Sequence, residues 1–247
     1  PWGEEIRGSI VAKEGKIFLG SDMVSLESTT KRHYMYPHDP DYVEEMSHPD
    51  FDEHLDLAIH AGRATKEEVL KHVRGEISLK SIRDPFKTVN YSAIYGVGVP
   101  KLSREGGFSR SEASTLLSTY WERNWSVKVI AKEQYVKTLK DGTMWLKNPV
   151  SGFYHSLRFE KDIFSTLNQS TGVYCFDTFV AYCASSGVEI PMQYHDEILV
   201  ECDDDEQSIN DTKERLQNAI TKTNEKVKLN VKLSIDFQTG HDYASVH

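Results

Sequence analysis

Apolar and polar residues follow two spacings along this chain, one typical of β-strands and one typical of helices. Residues 16 to 27, KIFLGSDMVSLE, begin with an apolar run rich in β-branched and aromatic residues, which predicts a strand. A Gly-Ser-Asp break follows, and the spacing through TTKRHYM then becomes helical. The segment is predicted to form a strand, a turn and a helix.

Two helices are predicted between residues 64 and 95. Thr65 before KEEVLKHV is a credible start of the first, and Gly96 and Gly98 end the second. Pro85 lies within the second helix, so that helix either begins close to Pro85 or kinks there.

Residues 109 to 142 form a long amphipathic stretch, which predicts continuous helix up to Asp141 and Gly142. A hairpin is predicted over residues 143 to 159, because turn residues around Pro149 separate two arms rich in aromatic residues. The candidate core positions of the helical stretch are Leu116, Tyr120, Val127 and Ile130.

A helix from about residue 160 to 185 is predicted to precede a pair of strands at residues 190 to 202, IPMQYHDEILVEC. Three ionisable residues, 195 to 197, interrupt this apolar segment. A last helix over residues 207 to 227 and a closing strand over residues 228 to 237 complete the predicted order.

The 247 residues, of which 38% are hydrophobic, can bury a substantial core in one large domain or two small ones. Neither a run of about 18 apolar residues nor a signal peptide is present, which predicts a cytoplasmic protein without a membrane partner. The odd number of cysteines, three without a CxxC pair, favours reduced thiols in a core over disulfides or zinc.

The net charge of −9 by itself disfavours a nucleic-acid partner. The charges are unevenly distributed, however. Acidic residues are concentrated at 39 to 56 and 201 to 207, whereas 66 to 87 and 101 to 112 contain basic clusters, so that a binding face could be locally positive.

Two carboxylates occupy corresponding places in the predicted sheet. Asp22 lies where the first strand ends, and Asp196 lies at the bend of the strand pair. Two bare carboxylates about 4 Å apart repel by roughly 4 kcal/mol at an effective dielectric near 20, so a pair on neighbouring strands favours a divalent cation. Oxygen ligands with open positions favour Mg²⁺ and phosphoryl transfer. The pair alone is weak evidence, since an acidic protein contains many such pairs.

The predicted helix RDPFKTVNYSAIYG places Arg83, Lys87 and Tyr91 on one face, because they are spaced four residues apart. Two cations and a phenol on one face can bind a triphosphate and stack on its base. A solvated basic stripe explains the spacing equally well.

The order of GSDMVSLE, RDPFKTVNYSAIYG, NQSTG and QYHDE resembles the ordered motifs of family A DNA polymerases. The chain looks most like the phage branch, which PWGEEIR at its start and FQTGHDYASVH at its end also resemble. The resemblance runs over nearly all 247 residues.

The resemblance implies a metal site and a triphosphate site. Asp22 and Asp196 match the two aspartates that bind two Mg²⁺ ions, and the carbonyl of Met23 would be a further ligand. Arg83 and Lys87, the latter also catalytic, match the cations that neutralise the incoming triphosphate, and His54 of DEHLD matches a histidine that contacts phosphate.

The resemblance also implies contacts with the base pair, the sugar and DNA. Tyr91 matches the aromatic residue that packs on the nascent base pair, and Glu27 matches the carboxylate that hydrogen-bonds this tyrosine and excludes a ribose 2′-OH. Tyr95 would lie near the template base, and Gln169 would contact the minor groove. His195, like the supporting residue Glu197, would lie near the primer end.

The fold implied is α+β: a polymerase palm with an antiparallel sheet and helices on one face, and helical fingers. The expected palm comprises residues 1 to 53 and 141 to 247, and the fingers comprise 54 to 140. No thumb or exonuclease fits before residue 22, so the hypothesis includes a separate N-terminal polypeptide that contributes the thumb and possibly an exonuclease. If a phage encodes the chain, it acts in the cytoplasm of a bacterial host.

The sequence therefore predicts a DNA-directed DNA polymerase that uses dNTP and primer–template DNA, with closure of the Arg83 helix over the nucleotide. Two alternatives stay open. One is a single-subunit RNA polymerase, which Glu27 and the HDE trio argue against. The other is a non-catalytic, polymerase-derived subunit of a replication complex.

Overall fold

The computed structural model describes residues 2 to 247. Its α-helices, in chain order, are α1 (Gly3–Gly8), α2 (Leu26–Met35), α3 (Pro40–Met46), α4 (Glu53–His60), α5 (Lys66–Val73), α6 (Lys80–Ile94), α7 (Val99–Gly106), α8 (Arg110–Arg123), α9 (Trp125–Glu133), α10 (Ile163–Ser185) and α11 (Glu206–Val227). Its strands are β1 (Lys16–Asp22), β2 (Val136–Thr138), β3 (Met144–Lys147), β4 (Tyr154–Leu157), β5 (Met192–Tyr194), β6 (Glu197–Asp203) and β7 (Gln238–Gly240).

The chain folds as two compact units. The first contains the described residues of Pro1–His33, with Pro149–Ser151 and Asn168–His247, and the second contains Tyr34–Asn148 and Gly152–Leu167. The predicted limits of palm and fingers stay predictions, because compactness alone does not define those subdomains.

The first unit is built on a four-stranded antiparallel sheet in the order β5-β6-β1-β7. Leu19, Ile198 and Val200 share a core with apolar side chains of α10 and α11, such as Phe179 and Leu216. The predicted α+β class, with an antiparallel sheet that carries its helices on one face, is confirmed.

The other face of this sheet is covered by the C-terminal segment. Phe18 and Leu199 pack against Tyr243 and Val246. Gly20 allows this close approach, because a Cβ atom there would lie 2.6 Å from the carbonyl oxygen of Val246. The segment therefore depends on a glycine in the middle of β1.

The second unit combines helices with a three-stranded antiparallel sheet in the order β2-β3-β4. Arg123 on α8 connects several of its helices. Its guanidinium donates to Glu45 and, at 3.1 Å, to Asp56, and it stacks 3.9 Å from the ring centroid of Tyr42. Asp56 is buried, and an arginine between two carboxylates balances its charge.

Most predicted elements are confirmed. Thr65 caps α5 with a reciprocal bond to Glu68, and the hairpin within residues 143 to 159 forms as β3 and β4. Pro85 lies in the second turn of α6, which continues through it. All three cysteines are buried free thiols, namely Cys175, Cys183 and Cys202.

Two predicted elements are wrong. The predicted continuous helix over residues 109 to 142 is three separate elements. α8 ends before Asn124, α9 follows, and residues 136 to 138 then form β2, because they pair with the predicted hairpin. The closing strand over 228 to 237 is replaced by β7, and within the predicted span only Ile235 makes an isolated bridge, to Met23. Apolar periodicity did not reveal either pairing partner.

Within residues 2 to 247, no helix combines the length and the apolar character that a membrane crossing requires.

Replacing Gly20 with alanine is expected to lower the free energy of unfolding by about 1 to 3 kcal/mol, because the methyl group displaces the C-terminal segment. Urea unfolding followed by circular dichroism measures the change. Gly8→Ala is the matched control, since nothing lies within 4 Å of a Cβ there, and it should be no less stable than wild type. A Gly20→Ala variant as stable as wild type would contradict the packing described.

Candidate active site

Pairing of β1 with β6 brings the two predicted aspartates to one end of the sheet. Asp22, the last residue of β1, lies opposite Glu197, the first residue of β6. Asp196 lies in the tight turn from β5 to β6, where His195 adopts a positive φ of 55°. The backbone N–H of Met23 donates to the carbonyl of Asp196 at 3.1 Å, which ties the two bends together.

Several carboxylates are crowded together at this end of the sheet. Burial raises the pKa of Asp22 to about 6, and negative charge on Asp196, Asp236 and Glu197 contributes in that order. Asp236 is held in place by backbone pairing, since its N–H donates to the carbonyl of Asp22 at 3.0 Å. Its own carboxylate accepts from the N–H of Asp22 at 3.3 Å.

These acidic side chains line a cavity of about 230 Å³, together with Gly20, His195 and His247. Glu197 is the buried member. Its Oε2 accepts from the hydroxyl of Tyr243 at 3.2 Å and lies 2.6 Å from Nδ1 of His247. Within the described residues, its Oε1 is buried without a hydrogen-bond partner. The C-terminal segment therefore fixes the carboxylate that lies beside Asp22 and Asp196.

An adjoining cavity of about 630 Å³ contains two further predicted residues. Glu27, at the start of α2, and Gln169, on α10, both line it, and His195 and Asp196 belong to both cavities. The side-chain amide of Asn168 donates to the carbonyl of Glu27 at 3.0 Å and holds the two helices together. The two cavities of the first unit thus bring together six residues that the sequence singled out, namely Asp22, Glu27, Gln169, His195, Asp196 and Glu197.

A second group of predicted residues lies on α6 and α4, within the second unit. Arg83 donates from Nε to the carboxylate of Asp52 at 2.5 Å. Asp52 also caps α4 and accepts from the N–H groups of His54 and Leu55. Burial alone would raise the pKa of Asp52, but the bonds from Arg83 and Leu55 outweigh it and leave that pKa below its usual value.

His54 and Lys87 both lie near the ring of Tyr91. The rings of His54 and Tyr91 are 5.9 Å apart, and Nζ of Lys87 is 5.9 Å from the Tyr91 ring centroid. Burial lowers the pKa of His54, and positive charge on Arg83 and Lys87 lowers it further against the opposing effect of nearby acids. His54 is buried, and its lowered pKa favours the neutral imidazole.

The amide of Asn90 sets the tautomer of this histidine. Its Nδ2 lies 3.1 Å from Nδ1 of His54 and also contacts the carbonyls of Glu53 and Phe86. Because Nδ2 is a donor, Nδ1 of the neutral His54 accepts and Nε2 carries the proton. Tyr95, the C-cap residue of α6, lies one turn beyond Tyr91.

Sequence reasoning missed three residues of these two groups. Asp236 is the next-to-last residue of the predicted closing strand, much as Asp22 lies at the end of β1, and that parallel was the available signal. Asp52 occupies an N-cap position before EHLD, which indicates a cap but not its ion pair with Arg83. The contact of His247 with Glu197 spans 50 positions, and no local pattern indicates it.

The acidic side chains at this end of the sheet offer carboxylate oxygens, which suit a hard cation such as Mg²⁺. In the described part of the chain, no set of three or more His, Cys, Asp or Glu side chains is arranged to hold a metal. Mg²⁺ sites of the kind expected here use one or two carboxylates and take their remaining ligands from water and substrate phosphates.

Two curated proteins are similar in sequence. The "DNA polymerase I, thermostable" of Thermus filiformis is 24% identical over 262 aligned positions, which cover 98% of this chain and 29% of that protein. The DNA polymerase I of Helicobacter pylori is 28% identical over 141 positions, or 56% of this chain and 14% of that protein. The chain thus spans less than a third of either relative. No family model matches it.

Among solved structures, the POL domain of Pol1 from M. smegmatis, in complex with DNA primer-template and dNTP, has the same fold. The TM-score is 0.75 at 18% identity, over 99% of this chain and 43% of that one. The chain therefore has the fold of a polymerase POL domain, and it is similar in sequence to DNA polymerase I enzymes.

Proposed function

We propose that this chain is the palm and fingers portion of a DNA-directed DNA polymerase. It would transfer a nucleotidyl group from a dNTP to the 3′-OH of a primer paired with a template strand. The observation that carries the proposal is the convergence of Asp22, Asp196 and Asp236 at one end of a sheet with this fold. Similarity to DNA polymerase I over nearly the whole chain supports the class of reaction.

Asp22 and Asp196 would bind Mg²⁺, with the carbonyl of Met23 as a further oxygen ligand. Crowding of like charges around Asp22 supports this, because a cation relieves the repulsion that raises its pKa. Two Mg²⁺ ions bound there would activate the primer hydroxyl and stabilise the charge on the leaving pyrophosphate. Glu197, held by Tyr243 and His247, would keep the turn that carries Asp196 in position.

The α6 face would bind the triphosphate. Arg83 is oriented in advance by Asp52, which reduces the side-chain freedom that binding must remove. Lys87 has no ion-pair partner in the part of the chain that the structure describes, so that its full charge is available for phosphate. His54 would donate from Nε2, and Tyr91 would pack on the base of the incoming nucleotide.

The remaining predicted residues would contact DNA and the sugar. Tyr95 would lie near the template base, Gln169 would contact the minor groove, and His195 would lie near the primer end. Glu27, in the cavity beside Asp196, would exclude a ribose 2′-OH.

The separate thumb-containing polypeptide, with or without an exonuclease, is part of the proposal. The chain spans less than a third of the length of the two curated relatives. Its net charge of −9 also disfavours tight binding of duplex DNA without help. A phage origin is proposed from the terminal motifs alone.

Removing one charge should stabilise the fold in the absence of divalent cations. At pH 8, where Asp22 is ionised, Asp22→Asn is expected to raise the free energy of unfolding by up to about 1 kcal/mol after solvent screening, because a charge that burial and the neighbouring carboxylates disfavour is lost. Mg²⁺ at ten times its Kd should stabilise wild type by about 1.4 kcal/mol and the variant much less. Thermal unfolding with and without Mg²⁺ measures both effects. Equal stabilisation of both proteins by Mg²⁺ would refute the proposed ligand.

Asp196→Asn is expected to lower primer extension by about 100-fold or more, since an electrostatic group at the reacting centre is removed. The assay uses the chain co-expressed with the polypeptide encoded upstream of it, labelled primer–template, dNTP and Mg²⁺. Asp204→Asn, on the exposed loop after β6, is the matched control and should extend like wild type. Unchanged extension by Asp196→Asn would favour a non-catalytic subunit.

Glu27→Ala is expected to increase the use of rNTP relative to dNTP by about 10- to 100-fold, because a steric barrier to the 2′-OH is lost. The ratio of kcat/KM for the two nucleotides in the same assay measures it. The control is Glu44→Ala, an exposed carboxylate on α3. A wild-type protein that uses rNTP as readily as dNTP would favour the RNA polymerase alternative.

A further inference from the structure

The three-stranded sheet of the second unit has one buried face and one exposed face. Leu146 and Leu157 are buried, and they alternate along β3 and β4 with exposed residues such as Lys147 and Tyr154. Successive residues of a strand point to opposite faces, so that the exposed residues share the solvent face. The buried leucines fix this orientation.

Two rows of side chains cross the solvent face. The first row consists of Tyr135, Lys147 and Tyr154. The N–H of Lys147 donates to the carbonyl of Tyr135 at 3.1 Å, and Lys147 pairs with Tyr154 on its other side. In the second row, Lys137 pairs with Trp145, which pairs with Ser156. We call these six residues the Lys-aromatic face.

Aromatic and cationic groups alternate over five of the six positions of this face, and the sixth is Ser156. Tyr135 is 59% exposed and Tyr154 is 46% exposed, although tyrosine rings usually find some cover. Nζ of Lys147 lies 5.9 Å from the Tyr154 ring centroid. The indole N–H of Trp145 is buried and has no hydrogen-bond partner among the residues that the structure describes.

The charge of the face is opposite to that of the chain. None of its six residues is acidic, and neither Lys137 nor Lys147 forms an ion pair in the described structure, whereas the whole chain carries −9. The positive charge of the Lys-aromatic face is complementary to that of a polyanion.

We infer that the Lys-aromatic face binds single-stranded nucleic acid. Unpaired bases would stack on Tyr135, Tyr154 and the edge of Trp145, while Lys137 and Lys147 would contact the phosphates between them. A duplex does not fit this chemistry, because its bases are already stacked and paired. The inference is independent of the proposed nucleotidyl transfer, since it requires neither a metal ion nor a dNTP.

Binding of a fluorescein-labelled oligothymidylate of about 16 nucleotides, a length set by the site size of similar surfaces, tests the inference by fluorescence anisotropy. The 247-residue chain is used without Mg²⁺ or dNTP. Tyr154→Ala and Tyr135→Ala are each expected to weaken binding about 5- to 100-fold, and Lys147→Glu should also reduce its dependence on salt.

The matched controls change similar residues elsewhere. Tyr36→Ala removes a tyrosine that is 40% exposed, and Lys222→Glu reverses an exposed charge on α11. Both should bind the oligonucleotide like wild type. Circular dichroism checks that each variant is folded, which is expected because the replaced side chains are exposed.

A second measurement places the oligonucleotide on the sheet. Stacked bases should quench part of the tryptophan fluorescence, and Trp145→Phe should remove that part. The inference is wrong if the Tyr154 and Lys147 variants bind the oligonucleotide as wild type does, or if they lose duplex and single-strand binding equally. If the wild-type chain binds oligothymidylate but the wild-type complex extends no primer with dNTP and Mg²⁺, the proposed function is overturned and this inference stands.

Discussion

The antiparallel pairing of β1 with β6 is the constraint on which the candidate active site depends. The register sets Asp22 opposite Glu197 and brings the turn at Asp196 beside it. A shift of one residue would turn Leu19 and Ile198 out of the core, and the buried side chains of α10 and α11 prevent this. Hydrophobic packing on one face thus holds together acidic groups that repel each other.

Both groups of functional side chains are positioned by partners that are not themselves expected to react. Glu197 is held by Tyr243 and His247 on the face where Gly20 leaves room, and Arg83 is held by the cap of α4, Asp52. A charged side chain that is already oriented loses less freedom when it binds a substrate. The proposed chemistry therefore depends on these supporting contacts as well as on the groups that would react.

Net charge is a poor guide to the surfaces of this protein. The acidic residues that dominate the total are concentrated in a few segments, whereas α6 and the Lys-aromatic face present cations beside aromatic rings. Electrostatic attraction in salt acts over about 10 Å, so that a phosphate responds to the nearest patch rather than to the whole chain. Surfaces that match a nucleotide and a single strand can therefore exist on an acidic protein.

The sequence by itself determined the α+β class, the strand-turn-helix around Asp22, the bend at Asp196 and the face of α6, because each follows from local periodicity and from motif order. Only the tertiary structure decided that Asp236 joins the carboxylates, that His247 supports Glu197, and that β2 completes a second sheet. These features are pairings between residues far apart in the chain. Their partners are chosen by packing and backbone hydrogen bonding, which leave no periodic signal in either partner alone.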